Sequence, residues 1–452
     1  DSTPGHDGGV SNAEGLPSDR ELMDRAVRAP STVRSSTSPN PWVGSALLTP
    51  EGAVHVGATE PPGGAHAEIL ALRSAGDAAR GSTLVTTYNP ATHPGGDGQY
   101  RGGYDSIGFN ALAKNVITIG AVNDAVTGSS RDTAKGTMTS FSSWGPTDDG
   151  RIKPDVVANG VSLYSSVNSS DSSYGTASGT SMSTPSATGS AALLVQHYAD
   201  LFGGSAMRSA SLKGLLIHTA DDLGTMGPDY QNGWGLIDTL AAADLLTDHQ
   251  ASPDKQRLTE DDLTTVTPSR SFTFVSDGVT PIRATLCWTD PAGSATSISD
   301  LRSPRLVNDL DLTILGPGGG SYLPYVMPFV GDWSETSMSA AATTGVNSTD
   351  NIEQVFLATP PAAGTYQLVV SLSGPLTNGI QQFSLLLSGA SDTPPPPPPL
   401  TITSVSPSSG LAGPATLDLT GTGFRADTAV KLARAGHPDP GPVLLRDSES
   451  GE

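Results

Sequence analysis

The chain is short of cysteine, of basic residues and of long apolar runs. Cys287 is the only cysteine among 452 residues, so no internal disulfide can form. It is expected to be a buried apolar thiol. Lys and Arg number 24 against 45 Asp and Glu, a net charge of −21. That balance argues against nucleic acid and against anionic membrane surfaces as partners. No apolar run is long enough to span a bilayer. The opening stretch, Asp1 to Pro17, is polar and Gly-rich and does not read as a signal peptide. A soluble, monomeric, secreted protein is expected, its export signal lying outside this sequence. Of the eight histidines, at 6, 55, 66, 93, 197, 218, 249 and 437, none is followed by glycine.

Glycine and proline are plentiful, 52 and 36 residues, which fits β-rich modules joined by linkers. The length suits about three domains. The most informative stretch is Gly179-Thr180-Ser181-Met182-Ser183-Thr184-Pro185. Behind it Ala187, Ala191, Leu194, Val195 and Tyr198 recur at helical spacing. Pro185 falls in the first turn, where a missing N–H costs little. Gly189 is expected to let the helix approach a neighbour closely. Ser181 therefore stands at a helix start, among outward N–H groups that favour negative charge. A plain Ser/Thr helix cap would give the same local pattern.

Five further blocks decide between these readings. They are Lys114 to Ala121, Ser140 to Pro146, Arg151 to Val157, Leu216 to Asp222, and Asn232 to Asp238. With the serine stretch they resemble, in order, the subtilisin-like serine proteases over about 97–390. The resemblance implies a parallel α/β catalytic segment with Ser181 as nucleophile. It implies an oxyanion and substrate-binding region at Gly179, Thr180, Ser142, Trp144 and Gly145, and a polypeptide substrate. It also requires an Asp, a His followed by Gly-Thr, and an oxyanion Asn. None of these is found. The oxyanion segment falls on Pro94–Gly98, which puts Gly96 at the asparagine position. His218, in an apolar run, reads as a core residue.

Residues 21–95 carry a different pattern. Strands are expected at Ser45–Leu48, Ala53–Gly57 and Thr83–Thr87, with helices near 21–27 and 63–72. Pro39-Asn40-Pro41, Gly64-Ala65-His66-Ala67-Glu68 and Asn89-Pro90 resemble the deaminase domain of riboflavin-biosynthesis enzymes, of the cytidine-deaminase-like fold. The resemblance implies His66 as a zinc ligand and Glu68 as general acid/base. The family's two cysteine ligands are missing: Ala91 follows Pro90. Three protein ligands are the norm for catalytic zinc, so zinc is not expected, and His93 reads as a loop histidine.

The rest is expected to be β. Residues 255–390 alternate with period two, as an antiparallel sandwich does. Cys287–Pro291 and Val307–Leu312 resemble the β-sandwich that follows some large subtilases. Asp309 and Asp311 share a strand face and are the candidates for calcium. Pro394–Pro399 form a stiff linker. Residues 401–435 resemble the start of an IPT/TIG immunoglobulin-like module.

The expected fold class is thus α/β, a partial subtilisin-like parallel sheet preceded by a partial cytidine-deaminase-like segment. An antiparallel β-sandwich and a truncated Ig-like module follow. The boundaries are 1–18 disordered, 19–95 deaminase-like, 96–250 subtilase-like, 255–390 sandwich, 391–400 linker, 401–435 Ig-like and 436–452 disordered. The front parts meet in a join near 94–98. The expected activity is that of a serine endopeptidase impaired by its missing groups. The alternatives are a zinc-dependent aminopyrimidine deaminase and a set of non-catalytic binding modules. Metal analysis of the purified protein should find no stoichiometric zinc, and His66→Ala should leave metal content unchanged. One zinc per chain, lost in that variant, would refute this.

Overall fold

The computed structural model describes residues 101–108, 111–167, 169–255, 257–294, 300–391 and 401–406, with position 74. It also describes short strands at 44–48, 54–58, 85–86, 418–422, 429–430 and 443–444. The chain divides into two compact units, 1–393 and 394–452. In the first, β1 (Gly44–Leu48) and β2 (Val54–Ala58) form an antiparallel pair, Ala46 opposite Val56. The expected helices near 21–27 and 63–72 lie outside the described residues.

A parallel sheet follows, built from β3 (Val85–Thr86), β4 (Ile117–Val122) and β5 (Val156–Asn159). All six residues of β4 are buried, as expected of a strand covered on both faces. Beyond β5 the Trp234–Ile237 segment continues the layer. Val157 N–H donates to Gly235 O at 2.9 Å, and Ile237 N–H to Val157 O at 3.0 Å. After β5 comes a hairpin, β6 (Leu163–Ser166) and β7 (Tyr174–Ala177). Three helices follow: α1 (Thr180–Leu201), α2 (Ser209–His218) and α3 (Thr239–Ala251). Asp238 caps α3 by accepting from Ala241 N–H.

α1 buries a stripe of Thr180, Ser183, Ala187, Ala191 and Leu194, the expected helical face. Val195 and Tyr198 pack against the same core. The opposite face is open, with Leu193 64% exposed. Gly189 is exposed and no described residue lies within 4 Å of the side it would extend. The expected close approach at Gly189 is therefore not made: its face of the helix looks to solvent.

Residues 258–388 form the sandwich. One sheet is β8 (Leu258–Thr264), β15 (Ile380–Ser388), β10 (Ile282–Trp288) and β13 (Ile352–Leu357), in that order. The other is β9 (Ser269–Ser276), β14 (Gly364–Leu372), β11 (Leu310–Leu315) and β12 (Ser321–Tyr322). All pairings are antiparallel. Leu310, Leu312 and Ile314 alternate inward to meet Leu286, Trp288 and Phe383. Cys287 and Leu386 face the other way, into the core that holds α2. Cys287 is buried, and burial pushes its thiol up to about 12, so it behaves as an apolar group.

α2 is buried from Ala210 to His218, so it touches protein on every side. Its polar groups all find partners. Ser211 Oγ meets Ser384 Oγ at 2.8 Å, and His218 pairs with Thr285 at 2.9 Å and Ser388 at 2.6 Å. Lys213 reaches Asp155 at 2.9 Å. Asp155 also accepts from Lys153 Nζ at 2.5 Å and from Thr118 N–H at 2.7 Å. All three charged residues of this group are buried. The motif blocks flanking the sandwich boundary also touch. Lys114 pairs with Asp290, whose carboxylate accepts from Val307 and Asn308 N–H at 2.9 and 2.8 Å.

The second unit holds β16 (Thr401–Ser406) and β17 (Asp418–Thr422), antiparallel with a register shift between Ile402 and Ser404. Every residue of β16 is exposed. Val443–Leu444, within the stretch expected to be disordered, pairs with Ala429–Val430.

Two outcomes follow for stability. Asp155→Asn strips the charge that two buried ammonium groups share, and should cost about 3–5 kcal/mol in urea unfolding. Joint replacement of Lys153, Asp155 and Lys213 by apolar residues should cost less. His218 is held neutral: burial, then the Arg283 charge, lower its pKa to about 3. An unfolded histidine takes its proton near 6.5. Between those values the unfolded chain binds more protons, so this residue's contribution falls as pH drops from about 6.5 towards 3. His218→Gln should flatten that acid loss by about 3 kcal/mol, read from unfolding curves at pH 7 and pH 4.

Candidate active site

Two glycines bring the helix start to the sheet. Gly160 follows β5 and donates its N–H to Val122 O, at the end of β4, at 3.0 Å. Its carbonyl accepts from Gly179 N–H at 2.7 Å. A Cβ on Gly160 would lie 2.6 Å from Ala121 Cβ, so only glycine permits this approach. Gly179 turns the chain into α1 with φ +153° and takes Met182 N–H on its carbonyl at 2.9 Å. Ser181 thereby lies beyond the carboxyl ends of β4 and β5, where open α/β sheets bind ligands.

Ser181 is exposed and its hydroxyl makes no hydrogen bond to any described residue. Thr180 is buried, and its carbonyl accepts from Ser183 Oγ at 2.9 Å. α1 has no side-chain N-cap bond. The N–H groups of Thr180 and Ser181 have no acceptor among the described residues. They form the donor end of a 22-residue helix, suited to a developing oxyanion. The expected oxyanion role of Gly179 needs correction. Its N–H is spent on Gly160, so the open donors belong to the two residues after it.

The Ser142–Gly145 segment also needs correction. Its groups were expected to pair with substrate, but they are engaged inside the protein. Ser142 is buried and its Oγ accepts from Ala121 N–H at 3.0 Å. Trp144 O accepts from Ser106 N–H and Gly145 O from Asp105 N–H, both at 2.9 Å. Trp144 N–H donates to Ser106 Oγ at 3.0 Å. Gly145 N–H is shared between Lys153 O and Tyr230 O, each at 2.9 Å. The Trp144 ring packs edge-on against Tyr104, centroids 5.3 Å apart. Substrate could bond here only by breaking these pairs.

His197, His218 and His249 cannot serve Ser181. His197 is 16 positions along α1, about 24 Å at 1.5 Å per residue, and bonds Thr247 at 2.9 Å. His249 packs against Phe202, past the far end of α1, ring centroids 5.7 Å apart. His218 has both ring nitrogens engaged and is buried, as its apolar run suggested. His66, Glu68, His93 and Gly96 lie outside the described residues.

The calcium expectation does not gather a site. Asp311 sits in β11 and Asp309 immediately ahead of it, its Oδ1 buried without a partner among the described residues. Burial, then the charges of Asp311 and Asp290, raise Asp309 to about 6. No third ligand joins them at coordination distance among the described residues. The acidic trio that does come together is Asp105, Asp148 and Asp300, with ligand atoms within 4.8 Å of one another. The Arg101 guanidinium already pairs with Asp105 and Asp300 there.

Two exposed tyrosines on the hairpin that precedes α1, Tyr164 and Tyr174, were not singled out from sequence. Their signal was present: two short runs, each with an aromatic, flank a cluster of Ser, Asn and Asp that marks a hairpin turn.

Residues 40–235 match the subtilase family, peptidase S8. Serine protease AprX of Bacillus subtilis is 44% identical over 108 residues, 21% of this chain and 24% of that protein. Riboflavin biosynthesis protein RibD of Corynebacterium ammoniagenes is 40% identical over 99 residues, 22% of this chain and 28% of that protein. Among solved structures, the Clostridium perfringens CspB protease is 27% identical, covering 32% of this chain and 30% of that one, with a TM-score of 0.28. The chain spans about a quarter of the length of the curated relatives it matches. Residues 40–235, which include Ser181, are thus similar to the subtilase family, and a front stretch of the chain is similar to riboflavin biosynthesis proteins.

Proposed function

We propose that Ser181 is the nucleophile of a subtilase-type serine endopeptidase site acting on polypeptide. The observation that carries this reading is an exposed serine at the start of α1, beside two uncommitted main-chain N–H groups. In the reaction Ser181 Oγ adds to a peptide carbonyl carbon and loses its proton to a base. The carbonyl oxygen gains negative charge opposite the Thr180 and Ser181 N–H groups. Collapse expels the amine, which takes up the proton, and water then hydrolyses the acyl-enzyme.

The step that limits this chain is the proton transfer. A serine hydroxyl is a weak nucleophile until a base takes its proton. Losing the histidine of a subtilisin triad costs about 10⁶-fold in kcat. A missing oxyanion side chain removes about 10²–10³-fold. The helix terminus offers at most about 2 kcal/mol in return. Slow turnover is therefore part of the proposal. The reading extends to a secreted, monomeric protein whose 21–95 stretch is a deaminase-like fragment without zinc. Residues 401–435 would then be the opening of an Ig-like module.

A fluorophosphonate probe tests the site, with Ser181→Ala as control and casein hydrolysis alongside. Labelling should be confined to Ser181 and run at least about 10³-fold below a complete triad. Casein cleavage should not exceed that of the alanine variant. No labelling at all would remove Ser181 as nucleophile. Fast labelling would reveal a base outside the described residues, and His66 and His93 would be mutated first.

A further inference from the structure

The hairpin that leads into α1 has a face and an edge that nothing described covers. Its register sets Tyr164 opposite Thr176 and Ser166 opposite Tyr174. Side chains alternate across a strand, so these four share one face. Tyr164 is 73% exposed and Tyr174 60%. Leu163, Gly175 and Ala177, on the other face, are half-buried. The two rings stack across the hairpin, centroids 5.7 Å apart and planes 24° apart.

The ladder also shows which main-chain groups point outward. Val167 N–H donates to Ser173 O at 3.0 Å, which fixes the phase. Bonded and non-bonded rungs alternate in an antiparallel pair. Ser165–Gly175 and Leu163–Ala177 are thus bonded rungs. The N–H and C=O groups of Tyr164, Ser166, Tyr174 and Thr176 are turned out of the hairpin. They have no main-chain partner among the described residues, and the sheet has only these two strands.

A row of alternating donors and acceptors is matched best by another polypeptide backbone. Between Ser162 and Ser178 there is no Lys or Arg and a single acid, Asp171. The surface therefore does not select charged side chains, while tyrosine rings favour apolar and aromatic ones. β7 ends at Ala177, four positions ahead of Ser181.

We propose that this hairpin docks an extended, uncharged polypeptide segment along the β7 edge, with an apolar or aromatic side chain seated on the Tyr164–Tyr174 pair. The tyrosines are then specificity-determining residues for the peptide that reaches Ser181, an assignment that rests on the endopeptidase reading.

The test uses the full chain carrying Ser181→Ala, so that nothing is cleaved, and fluorescein-labelled β-casein as an unfolded probe read by anisotropy. Adding Tyr164→Ala and Tyr174→Ala should weaken binding about tenfold or more. Thr176→Pro deletes one outward N–H without touching the ladder, and should weaken binding with both tyrosines in place. Val266→Ala, at an apolar residue 90% exposed elsewhere, should bind like the parent. Far-UV circular dichroism confirms the fold of each variant. Unchanged affinity in the double tyrosine variant overturns the proposal. So does a parent chain that leaves casein unbound or prefers a soluble polysaccharide through the same tyrosines. Fluorophosphonate labelling of the chain with Ser181 intact is read separately. Its failure removes the nucleophile and leaves the binding result standing.

Discussion

Asp155 is the point on which the first unit turns. Its carboxylate takes Thr118 N–H from β4, Lys153 from the loop before β5, and Lys213 from α2. Those three anchors belong to the parallel sheet, to the approach to its second long strand, and to the helix that the sandwich covers. A buried carboxylate is tolerable only when its charge is matched and its lone pairs are occupied. Both conditions hold only when the three elements are in register. The same requirement sets β4 beside β5, and their carboxyl ends carry Gly160, Gly179 and Ser181. The position of the candidate nucleophile is therefore fixed by a charge cluster in the layer beneath it.

Much of this was legible in the residues. The α1 stripe, the inward alternation of Leu310, Leu312 and Ile314, and the core role of His218 follow from periodicity and burial. What periodicity could not give is who faces whom. Lys114–Asn115 and Asp290–Pro291 read as separate family marks, one on each side of an expected domain boundary. They mark one contact, because Lys114 pairs with Asp290 and Asn115 Oδ1 takes Asp290 N–H at 3.0 Å. Ser142 to Gly145 looked available because a Ser-Ser-Trp-Gly run is polar and flexible. Only the fold reveals that Ser106, Asp105, Lys153 and Tyr230 have used its main-chain groups. Gly189 misled for a similar reason: a glycine in a helix suggests close packing, but the face it occupies has no neighbour among the described residues. Asp309 and Asp311 lie on one face, and two carboxylates on a strand do not summon a third ligand.

The site divides along the same line. The features carried by the helix start are local in sequence, namely the serine, the open N–H groups and the glycine turn, and they are present. The base and the oxyanion side chain would come from segments far away in the chain, and a short stretch cannot specify them. The likeness to the subtilase family was readable because it rests on the first kind of feature. Turnover depends on the second kind.

The all-round burial of α2 decides where the chain can be divided. A helix clasped between a parallel sheet and a sandwich ties residues 111 to 388 into one body. The sandwich therefore serves as scaffold, and the sheet need not draw all its support from the segments before it. On the side of α1 turned away from that body, Pro185, Ala192 and Leu193 meet water. A cut near residue 252 would pass through an interior that the sheet, α2 and the sandwich share.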